Sequence, residues 1–88
     1  MAQMLGMDPD AVETLGKQMQ TSAEEIKTTM QKIEGLLQST QWEGADAQRF
    51  KGDEWNQHKT ALTAAATALE TAGQNALKNA QEQRATSQ

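Results

Sequence analysis

Val12, Met19, Ile26 and Ile33 recur every seven residues, and no proline follows Pro9 anywhere in the 88-residue chain. Side chains seven apart return to one helix face after two turns, so a repeat of this length belongs on a long helix packed against another helix. Leu15, Ser22, Thr29 and Leu36 form a second row beside the first, and Ala23, Met30 and Leu37 widen the stripe. The start is written in "MDPDAVE". Asp8 suits the N-cap and Pro9 the first helical position, while Asp10 and Glu13 suit the positive end of the dipole. The pattern predicts a first helix over about 9–39, roughly 45 Å long. Gly16 and Gly35 are expected to weaken it by about 1 kcal/mol each where exposed.

The same period returns further on. Trp55, Leu62, Leu69 and Ala76 lie seven apart, with Ala65 and Ala72 at a companion position. They predict a second helix over about 45–82. Its "ALTAAATALETAG" stretch is rich in alanine, which lets a neighbouring backbone approach closely. Neither segment shows the period of two that a half-buried strand requires. The expected fold class is therefore all-α. Residues 40–44, "TQWEG", separate the segments, and so short a connection makes the helices antiparallel neighbours. The expectation is one domain over residues 1–88, an antiparallel two-helix hairpin with flexible termini.

Composition decides how such a hairpin is held together. Hydrophobic residues make up 36% of the chain and only three residues are aromatic, which is thin for a self-sufficient core. With no cysteine, disulfides and thiolate metal sites are excluded. A partner is left. The stripe on the first helix is wider than a two-helix seam can cover, so two hairpins are expected to pair into a four-helix-bundle dimer. Its core and seam would be built from Val12, Leu15, Met19, Ile26, Met30, Ile33, Leu36 and Leu37 of the first helix. Phe50, Trp55, Leu62 and Leu69 would contribute from the second, and mass action would tie folding to assembly.

Charge removes other classes. The net charge is −4 and the eight basic residues are scattered singly, whereas nucleic-acid binding draws its affinity from clustered Lys and Arg. No basic run suits an anionic lipid surface, mean hydropathy is −0.77, and membrane contact is not expected. The opening "MAQMLGMDPD" has no positive side chain and no apolar run of signal-peptide length. The expected product is made in the cytoplasm and, if exported, leaves without a cleaved leader.

The residues for catalysis are also missing. His58 is the only histidine, on the expected seam of the second helix between Trp55 and Leu62. One histidine without cysteine cannot hold zinc unless several carboxylates converge, and none is spaced for that. Asp53 and Glu54 are adjacent and point to different faces, and Glu24-Glu25 reads as a solvated edge. "KGDEW" lacks the pattern of a phosphate loop. No cofactor, metal or enzymatic activity is expected.

Trp42-Glu43-Gly44 stands at the break between the helices, followed by Ala45, Phe50 and Trp55. Taken with the length, the two periodic helices, the absent cysteine and the absent leader, this resembles the WXG100 family of ESAT-6-like proteins exported by type VII secretion systems. The resemblance implies a secreted dimer with itself or a paralogous WXG-type protein. It also implies a type VII secretion ATPase as a further partner, and an export-recognition surface around Trp42 and Gly44. Residue chemistry alone reads Trp42 as an apolar plug at the open end of the bundle and Gly44 as a backbone conformation that a side chain would forbid. Many relatives carry Tyr-x-x-x-Asp/Glu beyond the second helix. This chain has no tyrosine, and only Lys78 precedes Glu82 at that spacing. Either the export motif sits on a different partner chain, which makes this the signal-lacking member of a pair, or this protein is recognised another way. The alternatives are an adaptor for a larger secreted toxin and a membrane-active effector.

Overall fold

A computed structural model of the chain describes residues 6–87, and among them the regular structure is entirely helical. Helix α1 spans Pro9–Ser39. Asp8 is extended and its carboxylate accepts the amides of Asp10 and Ala11 at 3.0 and 3.3 Å, satisfying donors that have no partner inside the helix. Pro9 occupies the first turn, where its missing N–H costs nothing. At the other end Thr40 turns extended and its N–H donates to the Leu36 carbonyl at 2.9 Å.

Residues 40–44 carry the chain into α2, Ala45–Arg49. A π-turn, Phe50–Glu54, joins α2 directly to α3, Trp55–Ser87. The second arm is thus a helix with one wide turn in it. It also runs past the expected end near 82, to Ser87. The physical reason is Arg84, whose guanidinium bonds Asp10 and Glu13 on α1, each at 2.6 Å, and ties the last turns down. The flexibility expected at the N-terminus concerns residues 1–5, outside the described residues.

The arms pack as an antiparallel hairpin within an envelope of 65 × 18 × 15 Å. Their line of closest approach is made of the smallest residues. Gly16 and Ala23 are buried on α1, and Ala66, Gly73 and Ala80 on α3. A Cβ added to Gly16 would lie 2.8 Å from the Gly73 carbonyl oxygen, and one added to Gly73 would lie 2.7 Å from that of Gly16. The two backbones meet there. Gly16 is buried, so the cost expected of an exposed helical glycine does not apply to it, and what it loses in helix propensity is set against a closer approach of the arms. The Val12, Met19, Ile26, Ile33 row lies beside this line and is only half-buried.

The two edges of the contact line differ. On one, Glu13, Lys27 and Glu34 share a helix edge and face Arg84, Glu70 and Lys59 in turn. The Lys27–Glu70 and Lys59–Glu34 pairs close at 2.9 and 2.8 Å. The other edge carries the apolar rows.

Candidate functional site

The apolar edge is largely uncovered. Leu15 and Leu36 are 50% and 49% exposed, and Leu62 on α3 is 37% exposed. Val12, Met19, Met30, Leu37 and Leu69 are half-buried. Between the two exposed leucines of α1 lies a shallow hollow of about 280 Å³ lined by Ser22, Glu25, Ile26, Thr29 and Leu62. Its walls follow from the sequence. The row that begins and ends in Leu15 and Leu36 has the short side chains Ser22 and Thr29 between them. Scattered exposed leucines need no explanation, whereas these lie aligned on one edge of a thin hairpin.

The second feature is the turn end. Trp42 is 40% exposed, and its ring packs against Phe50 at a centroid distance of 5.6 Å and a tilt of 47°. Lys51 reaches back along the same side, where its ammonium donates to the Trp42 carbonyl at 3.0 Å and stands 6.0 Å from the ring centroid. Gly44 has φ 110° and ψ −179°, a region that only glycine occupies without strain. Nothing lies within 4 Å of where its Cβ would be, so its demand is on backbone angles and not on space. Trp55 is buried, and its indole N–H finds no acceptor among the described residues.

The ionisable groups serve the hairpin. Arg84 and then Lys17 hold the Glu13 carboxyl below its usual range. Glu70 and then Glu24 raise the Lys27 ammonium, and Asp10 with Glu13 raises Arg84. His58, expected as a satisfied or partly exposed seam residue, is exposed. Among the described residues, no three or more His, Asp or Glu side chains gather as a metal site, and no helix is long and apolar enough to cross a membrane.

No family model, curated protein or solved structure matches this chain. The reading of function therefore rests on its own residues.

Of the residues singled out in the sequence, the structure brings Trp42 and Phe50 together and places Leu15, Ile26, Leu36 and Leu62 along one edge. It separates these two groups into a side and an end. Sequence reasoning missed Gly73, Lys51 and the π-turn. A signal for the first was present, since Ala66, Gly73 and Ala80 are themselves seven apart.

Proposed function

We propose that the chain is a non-enzymatic, ESAT-6-like hairpin of the WXG100 kind, exported through a type VII secretion system as one half of a dimer. The observation that carries the assembly is the row of exposed leucines on one edge, opposite an edge already closed by ion pairs. Covering that row with a second hairpin completes a four-helix bundle. The export reading draws on the resemblance around Trp42 and Gly44, and the exposed Trp42 ring suits a recognition role at the turn end. The 88 residues hold no tyrosine, and on this reading a paralogous WXG-type protein supplies the contact with the secretion ATPase.

Trp42→Arg tests the reading. The site lies at an end, away from the contact line, so the expected variant still pairs in light scattering but is lost from the culture supernatant on blotting. Normal export of a paired Trp42→Arg protein would remove the recognition role.

A further inference from the structure

Ala47 and Ala66 are both buried, at 2% and 0% exposure, although nineteen residues separate them. At about 100° per residue, an uninterrupted α-helix would set them about 100° apart, on different faces. Eighteen steps make five full turns and would bring them back to one face. The π-turn absorbs the odd residue. In it the Trp55 N–H donates five residues back, to the Phe50 carbonyl, and the Gly52 carbonyl is taken up by the Asn56 side-chain amide at 2.6 Å. The same correction brings Ala47 into line with the buried Trp55, eight residues on.

We propose that the π-turn is a two-state register device, and that the pair Ala47–Gln48 selects its open state. Closing the turn into ordinary α-helix would rotate α2 by about 100° against α3. Gln48, eighteen residues before Ala66, would then take the buried place of Ala47. A buried primary amide without partners is costly where an alanine methyl is not, so the native pair favours the wide turn. Single π-turns within α-helices recur where a helix must carry an inserted residue for a purpose. The purpose here is the orientation of Trp42. Phe50 and Lys51, which hold it by ring and by carbonyl, lie in the part that turns. The inference follows from helix geometry and does not depend on the export reading.

Through-hydrogen-bond couplings in NMR report the register directly. The parent is expected to couple the Trp55 amide nitrogen to the Phe50 carbonyl carbon. The exchange variant Ala47→Gln/Gln48→Ala offers an alanine to the closed register, and its coupling should move to the Lys51 carbonyl. Coupling that stays at Phe50 in a folded exchange variant would overturn the proposal. A pair of deletions decides the matter if that variant does not fold. Removing Gly52 leaves eighteen residues from Ala47 to Ala66, so the arm should become a regular helix that melts at or above the parent temperature. Removing the exposed Ala64 shifts everything beyond it out of phase and should lower the melting temperature sharply. Equal losses for the two deletions would equally sink the register argument.

Discussion

Gly16 and Gly73 face each other across the hairpin so closely that neither has room for a methyl group. A Cβ on either would stand within 2.8 Å of the other's carbonyl oxygen. Gly73→Ala is therefore expected to destabilise the hairpin. The overpacking costs about 1–3 kcal/mol, and the helix-propensity gain of about 1 kcal/mol offsets only part of it. Gly35→Ala is the control. It is exposed in α1 with nothing within 4 Å of the new methyl, and should stabilise by up to about 1 kcal/mol. Chemical denaturation of both variants gives the comparison, and like signs would contradict the close approach.

Leu15 and Leu36 contribute little to the isolated hairpin but bracket its uncovered edge. The double variant Leu15→Ser/Leu36→Ser should keep its helical circular dichroism while losing association in light scattering. Ala66→Leu should do the reverse kind of damage, since it places a large side chain in the fully buried contact line and separates the arms themselves. If the serine variant unfolded as Ala66→Leu does, the division into inner line and outer face would be wrong.

Gly44→Ala isolates a backbone effect. The site is spacious, but φ 110° is unfavourable for any L side chain. A loss of about 1–3 kcal/mol is expected, and Gly44→Ser should lose a similar amount, because side-chain size is not the obstacle. Thermal melts of the two variants read this out.

Glu13 makes the hairpin sensitive to acid. Its carboxyl is held below the usual 4.5, chiefly by Arg84. A depressed carboxylate contributes stability that is present above its unfolded pKa and disappears as pH falls through the folded one. The melting temperature of the parent should therefore exceed that of Glu13→Gln at neutral pH, and the difference should vanish on acidification below the carboxylate range. Lys27, raised chiefly by Glu70, sets the opposite limb. Its contribution is complete below the ordinary lysine range and is lost as pH rises through the elevated folded value.

The hairpin itself was legible because its punctuation is local. Asp8 and Pro9 mark the start, "TQWEG" marks the break, and a seven-residue period marks each arm. The choice of contact line was not legible in the same way. Periodicity locates an apolar stripe, but several rows share that period, and volume favours Val12, Met19, Ile26 and Ile33 for the centre. The arms instead met along Gly16, Ala23, Ala66, Gly73 and Ala80, since close backbone approach gathers more contact than large side chains standing apart. The reach of α3 to Ser87 depended on a bond from Arg84 to residues more than seventy positions away, which no local pattern reports.

One edge of the hairpin is zipped by charge and the other is bare hydrocarbon, so the molecule should answer electrolytes in two voices. Sodium chloride screens exposed ion pairs and should loosen the grip of α1 on α3. Sulfate, excluded from apolar surface, should drive the bare edges of separate molecules together. At matched ionic strength the two salts screen the ion pairs alike, so what sulfate adds beyond chloride reports on apolar surface.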